Sequence, residues 1–223
     1  MAGPVPVSPK EGYALWADTC DSTISPIVAL SDRLVRLWLE RLTDAPSRSR
    51  LGWVDVGAGT GRWTAQLGAI GLDASLEMLG VAARKSGLRG RLAIADAMAL
   101  PIADASAELV LCTLMLGYAH DPLIAWRELA RIVKPGGSLI LTDFHPAASA
   151  CGWRRTFRAN GQVYEIENHP YTLNELAGAG LVLREHRDAV FEEPERDLFE
   201  CAGKPFETAR HTPAVLAAWW SRL

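Results

Sequence analysis

The residues best suited to chemistry are a glycine turn and three aspartates spaced around it. The stretch 51–56 is apolar but for Asp55, and it runs into Gly57-Ala58-Gly59-Thr60-Gly61-Arg62. A strand that ends in such a turn and opens a helix presents free N–H groups to polar or anionic ligand groups. Glycine there lets a ligand approach the backbone. Asp73 follows the apolar stretch 69–72, at a place where a carboxylate accepts both hydroxyls of a ribose. Asp96 follows 91–95, where a carboxylate or the backbone reads an adenine amino group. A dinucleotide site asks for G-x-G-x-x-G, and Arg62 holds the place of its third glycine, which argues against a dinucleotide. No G-x-x-x-x-G-K followed by Ser or Thr is present, which argues against a triphosphate site.

Alternating strands and helices must position these groups. Apolar runs at 51–56, 69–72, 91–95, 108–114, 138–144 and 213–221, with the more polar stretch 181–190, predict seven strands, the last with a terminal helix as competing reading. Between them, Ser75 or Asp73 caps a helix with Leu76, Leu79, Ala82 and Ala83 inward. Asp121-Pro122 opens another, with Leu123, Trp126, Leu129, Ala130 and Val133 buried, stopped by Pro135-Gly136-Gly137. The expected fold is α/β: a Rossmann-like, doubly wound, mostly parallel seven-stranded sheet with helices on both faces. Residues 1–50 read as an arm, loose over 1–10, and a helical cap; Ile27, Leu30, Leu34, Leu37 and Trp38 form one helical face there, and 43–50 is a loop. Residues 51–145 form the core, and 146–170 a hairpin arm turned at Asn160-Gly161. Residues 171–223 complete the same domain, with a helix capped by Thr172 and with Trp219 and Trp220 on opposite sides of the last strand.

Net charge is −3, so nucleic acid and anionic membranes are disfavoured partners. The four cysteines (Cys20, Cys112, Cys151 and Cys201) form no CxxC pair, which predicts neither metal nor disulfide framework and fits a reducing cytoplasm. No uncharged apolar run approaches the ~20 residues of a membrane span. The first ten residues lack an apolar signal core.

The four stretches Val54–Gly61, Gly71–Leu79, Ala95–Pro101 and Arg127–Gly137 resemble, in this order and spacing, the motifs of class I S-adenosylmethionine-dependent methyltransferases. The resemblance extends to nearly the whole chain, and most to small-molecule enzymes similar to those of ubiquinone, menaquinone and biotin pathways. Gly12–Asp21 resembles their Y-x-x-W-A-x-x-Y-D segment, which packs over the cofactor, with Cys20 where the second tyrosine stands. The resemblance implies that Asp55 and the backbone of Gly57, Ala58, Gly59, Thr60 and Gly61 hold the methionine end of S-adenosylmethionine. Asp73 and Ala74 would hold the ribose, with Met78, Asp96, Ala97 and Met98 around the adenine. Tyr13 and Trp16 would cover the cofactor, and Thr113 and Leu114 would line the methyl-transfer side.

Methyl transfer needs a positioned nucleophile and, for some acceptors, a base. His145 follows the 138–144 strand and is the lead candidate base; a strand cap is the other reading. His120 and Tyr118 follow the 108–114 strand and are the further catalytic candidates. Asp143 is either a base or turned towards its neighbours by strand alternation. The arm carries Arg154, Arg155 and Arg158, with Tyr164, His169 and Tyr171 nearby. Arg154, Thr156 and Arg158 share a face, and the arginines read either as a clamp for a carboxylate or phosphate of the substrate or as a solvated hairpin facing Glu165 and Glu167. The expected function is methyl transfer to an O or N atom of a small molecule by a cytoplasmic monomer or homodimer. The alternatives are C-methylation of a quinone-like ring, or a non-catalytic S-adenosylmethionine-binding regulator. No metal is expected, and the lack of an N/D-P-P-aromatic tetrad at Leu114-Met115-Leu116-Gly117 further disfavours nucleic acid.

Overall fold

The computed structural model describes residues 3–43 and 52–223. The predicted 43–50 loop and the first residue of the 51–56 strand lie essentially outside them. In chain order the elements are β1 (Val5–Val7), α1 (Pro9–Cys20), α2 (Pro26–Thr43), β2 (Trp53–Val56), α3 (Arg62–Leu67), β3 (Ile70–Asp73) and α4 (Leu76–Ala82). Then come β4 (Leu92–Ile94), β5 (Ala107–Thr113), α5 (Pro122–Ile132), β6 (Val133–Phe144), α6 (Pro146–Ala150), β7 (Thr156–Ala159) and β8 (Gln162–Ile166). β9 (Leu181–Ala189), α7 (Arg196–Cys201), α8 (Phe206–Ala209) and β10 (Val215–Arg222) complete the chain.

Seven strands form one sheet in the order β4-β3-β2-β5-β6-β10-β9. β4, β3, β2, β5 and β6 run parallel, while β10 pairs antiparallel with both β6 and β9. The 213–221 run is therefore a strand, not a helix. It can be sandwiched because its two faces are both apolar: Trp220 joins the core on one side and Trp219 packs against the core on the other. Side-chain alternation divides β5 likewise, Leu109 and Leu111 facing the layer of α2, Val110 and Cys112 the layer of α5. A buried Ser31–Thr142 hydrogen bond of 2.7 Å ties α2 to β6.

Helix caps follow the local chemistry. Asp121 accepts from the amides of Leu123 and Ile124, with Pro122 at the first helical position, and α5 begins there. Ser75, rather than Asp73, caps α4 by accepting from Met78 N. The helix faces differ from expectation at three places. Leu76 and Ala83 of the α4 region and Leu37 of α2 are exposed, whereas Met78 is buried. Leu76 sits in the first turn, ahead of the packed face; Leu37 falls on the flank of the Leu34–Trp38 stripe, on the side away from the buried Val35, Leu39 and Leu42.

Two segments correct the sequence reading more deeply. Residues 5–7 are not a loose arm: they form β1, which runs parallel to β8 in a second sheet of order β1-β8-β7. Val7 and Ile166 of that sheet close around Gly12 of α1. The hairpin turns at Asn160 (φ 52°) and Gly161 (φ 75°), both left-handed as a two-residue hairpin requires. The charged stretch 191–211 is also more ordered than its composition implies. Phe191, Phe199 and Phe206 stack edge-on into the core, at ring distances of 4.6 and 5.5 Å.

Candidate active site

A cavity of about 630 Å³ opens at the carboxyl ends of β2, β3, β4 and β5, under α1. Its floor is the turn after β2. The Gly57 and Ala58 amides donate to the Leu72 carbonyl at 2.8 and 3.0 Å, clamping the turn to β3. Gly57 has φ 75°, and a Cβ there would lie 2.3 Å from Met115 Cγ, so no other residue fits the turn as built.

Each aspartate is held differently. Asp55 is buried; its Oδ2 accepts from the Thr64 hydroxyl at 2.6 Å, while Oδ1 is buried with no hydrogen-bond partner among the described residues. Burial raises its carboxyl to about 6, with Asp73 adding to the rise. Asp73 Oδ2 accepts from Gly59 N at 2.7 Å and Oδ1 from Ser75 N at 2.8 Å, so both oxygens are aimed while each keeps a lone pair. Burial raises this carboxyl too. Asp96 is exposed, and its Oδ1 accepts from Met98 N at 2.9 Å.

The roof is α1. Ser8 and Glu11 form a capping box at its start, with Pro9 at the first position. Trp16 donates from Nε1 to Thr23 Oγ1 at 2.9 Å and stacks on Phe157 of β7 at 5.1 Å. Tyr13 meets Tyr118 edge-on at 5.5 Å. The roof is latched to the floor: the Thr60 hydroxyl donates to Asp21 Oδ1 at 2.5 Å, and Lys85 pairs with Asp21 at 2.7 Å.

The cavity brings together nearly all the residues singled out from the sequence. Tyr13, Trp16, Asp55, Gly57, Ala58, Gly59 and Thr60 line it, as do Asp73, Ala74, Met78, Asp96, Ala97, Met98, Thr113 and Leu114. Tyr118 and His120 line it as well. Gly61 does not; it caps α3 with φ 77° and lies against Leu88 and Ala82.

His145 is not among the residues lining this cavity, so the cavity lends no support to its reading as lead base. Its Nδ1 accepts from Ala147 N at 3.0 Å, capping α6, and its Nε2 lies 3.1 Å from Asp188 of β9. The following Pro146 starts a helix that sequence periodicity over five residues cannot reveal, and that helix claims the imidazole. Asp143 also serves the scaffold. Its carboxylate is buried and accepts from Gly117 N at 2.7 Å, Phe144 N at 2.7 Å and the Tyr171 hydroxyl at 2.9 Å.

Among the further lining residues, three bear on the acceptor side, two of them from the arm. His169 stands perpendicular to His120 with ring centres 6.3 Å apart. Met115 packs under Gly57. Arg155 enters from the arm, on the face opposite Arg154, Thr156 and Arg158. Alternation would have put Arg155 with Phe157, but only the stacking on Trp16 tells which face of the hairpin turns inward.

The sheet order, the glycine turn and the carboxylate at the end of β3 define the class I nucleoside-binding methyltransferase fold. Residues 54–141 match the family described as "Methyltransferase domain". Over those residues, about two fifths of the chain, the protein is similar to methyltransferase domains. A demethylmenaquinone methyltransferase of Renibacterium salmoninarum is 34% identical over 148 residues, which are 62% of this chain and 61% of that protein. Methyltransferase GfsG of Streptomyces halstedii is 34% identical over 59% of this chain and 49% of its own length. A malonyl-acyl-carrier-protein O-methyltransferase of Marinomonas sp. is 37% identical over 40% and 36% of the two chains. The chain thus spans about half to three-fifths of the first two relatives. A solved S-adenosylmethionine-dependent methyltransferase of Mesorhizobium loti shares the fold with a TM-score of 0.59, 23% identity, and coverage of 83% of this chain and 97% of that one. The 4+2 cyclase SpnF shares it with a TM-score of 0.57, 20% identity and 99% coverage of both.

Among the described residues no helix is long and apolar enough to cross a membrane. No cluster of three or more metal-ligating side chains is found among them.

Proposed function

We propose that this protein transfers the methyl group of S-adenosylmethionine to an oxygen or nitrogen atom of a small molecule. The observation that carries the reading is the unpartnered Asp55 oxygen, a buried acceptor in the cavity wall beside the glycine turn. A buried carboxylate oxygen without a donor is costly, and a cationic ammonium of a ligand resolves that cost. In this reading Asp55 and the backbone of residues 57–60 hold the amino-acid end of the cofactor. Asp73 and Ala74 hold the ribose, while Met78, Asp96, Ala97 and Met98 enclose the adenine. Gly61 acts by shaping the turn rather than by contact. When bound, the cofactor supplies a methyl group made electrophilic by its sulfonium.

The chain's own residues then have three tasks. Thr113, Leu114 and Met115 form the wall of the transfer side. Tyr13, Trp16 and Tyr118 exclude water and orient the acceptor, whose effective concentration rises accordingly. His120 and His169 are the imidazoles at hand to take the acceptor's proton on a ring nitrogen, in place of His145. The same reading makes the protein a cytoplasmic monomer or homodimer with no nucleic-acid partner. The name of the Renibacterium relative favours a second acceptor class, a quinone-like ring methylated at carbon.

The test is transfer of isotope-labelled methyl from S-adenosylmethionine into a small-molecule extract, with the labelled product's bond type determined. Label in an O-methyl or N-methyl product is expected, and a C-methyl product selects the quinone-like class. Cofactor binding with no transfer to any acceptor leaves the regulator. If either histidine is the base, its alanine variant slows transfer by roughly 10²–10⁴-fold with cofactor affinity unchanged; His145→Ala leaves the rate unchanged.

A further inference from the structure

We propose that Arg155 is a built carboxylate site, and that it selects methyl acceptors carrying a carboxylate. The inference deepens the reading of the cavity as a methyl-transfer site and rests on it. Arg155 lines the cavity from the arm, yet its side chain forms no hydrogen bond to protein and no ion pair within 4 Å among the described residues. Its Nε is buried and without a partner. A guanidinium always carries its charge, so a buried Nε–H without an acceptor is costly, and a ligand anion at the fork offsets that cost.

The group is nevertheless held in place. Its carbonyl accepts from Ile166 N at 2.9 Å, which fixes the backbone at the root of the hairpin. The guanidinium carbon lies 5.7 Å from the centre of the Trp16 ring, itself pinned between Phe157 and Thr23. The phenols of Tyr13 and Tyr118 feel its charge and lie against each other, adding hydroxyl donors beside the cation. Asp143 is the one carboxylate whose charge acts on it appreciably, and that carboxylate is engaged by Gly117, Phe144 and Tyr171. Arg62, another arginine lining the cavity, is by contrast paired with Asp32.

Position favours the acceptor over the cofactor as source of the anion. Arg155 also lines a second cavity of about 580 Å³, beyond the end of β6, walled by Phe144, Trp153 and Tyr171. No residue of the glycine turn borders that space. Arg155 therefore stands where the two cavities meet, beside Tyr13 and Tyr118. Its charge also reaches Arg62 at the end of the glycine turn, so the cofactor's own carboxylate is one outcome of the experiment. Its planar fork suits bidentate pairing with a carboxylate.

The experiment titrates benzoate and benzamide, 3-phenylpropionate and its amide, and phenyl phosphate into the full chain saturated with S-adenosylhomocysteine, by calorimetry. In at least one acid–amide pair the wild type binds the acid about tenfold more tightly or better, and the gap closes in Arg155→Met, as loss of a charge-assisted pair requires. Arg155→Lys, which keeps the charge and loses the fork, gives an intermediate gap and supplies the result if the Met variant does not fold. Equal affinity for acid and amide in both wild-type pairs, including none, overturns the proposal. So does a gap that survives in Arg155→Met, or phenyl phosphate binding more tightly than benzoate. If Arg155→Met weakens S-adenosylhomocysteine itself by about tenfold, the residue holds the cofactor's own carboxylate and the acceptor assignment is wrong. A wild type that binds no S-adenosylhomocysteine contradicts the methyl-transfer reading instead; the acid–amide comparison on the bare protein still tests Arg155.

Discussion

Asp55 couples stability and binding in opposite directions. Burial raises its folded-state carboxyl to about 6, above the unfolded value of 3.8. A carboxyl shifted upward stabilises the fold while protonated; that contribution is complete below the unfolded value and is lost as pH rises through about 6. Binding of a cationic ammonium runs the other way, because it needs the ionised form. S-Adenosylhomocysteine affinity is therefore expected to fall by about tenfold between pH 8 and pH 5, as ionisation of a group titrating near 6 is suppressed. Asp55→Asn keeps an acceptor for the Thr64 hydroxyl and removes the buried charge. At pH 7.5 it should raise the unfolding free energy by about 1–3 kcal/mol while weakening cofactor binding, checked by urea denaturation and calorimetry on the same samples. Lower stability with unchanged affinity would show that the carboxylate is structural. Asp55 itself was legible in the sequence from the glycine turn that follows it. His145 shows the opposite: its place after a strand suggested a base, but a five-residue helix starting at Pro146 uses it as a cap.

At the scale of elements, the roof over the cavity is made by three separate pieces of chain. β1 adds to the hairpin β7–β8, and both enclose α1 through Val7, Phe157 and Ile166. Three residues of β-strand carry no periodicity of their own, so the 5–7 strand could not be distinguished from a loose arm before its partner was known. The hairpin was legible from Asn160-Gly161, whereas its inward face was not, since both faces carry arginine. Phe157→Ala removes the ring stacked on Trp16, a loss of about 3–5 kcal/mol for a well-packed aromatic. Because this small sheet is separate from the seven-stranded one, the loss should be local. Hydrogen exchange is expected to accelerate in α1 and the hairpin and to stay unchanged in β5 and β6. Uniform acceleration throughout would show that roof and core unfold as one unit.

At the scale of the molecule, the ligand end of the sheet was legible because each of its stations lies at the end of an apolar run: Asp73 after β3, Asp96 after β4, and the turn after β2. The mostly parallel, doubly wound sheet was legible through its alternating strands and helices, but its strand order was not, and the 213–221 run left a strand and a helix in competition until β10 was seen paired on both edges. The acceptor end was legible only in Tyr118 and His120, because Arg155 and His169 reach it from the arm, a segment that no local pattern links to them. The whole account turns on one claim, that this cavity holds S-adenosylmethionine by the carboxylate at the end of β3. Calorimetric titration of S-adenosylhomocysteine into wild type and Asp73→Ala tests it most directly. The account predicts one site per chain in the wild type and at least about a tenfold loss in the variant, as two charge-assisted ribose hydrogen bonds are removed. Because Asp73 also holds the Gly59 and Ser75 amides, the variant must first show an unaltered circular dichroism spectrum and cooperative melting. A folded Asp73→Ala protein that binds as tightly as wild type, or a wild type that does not bind, would contradict it.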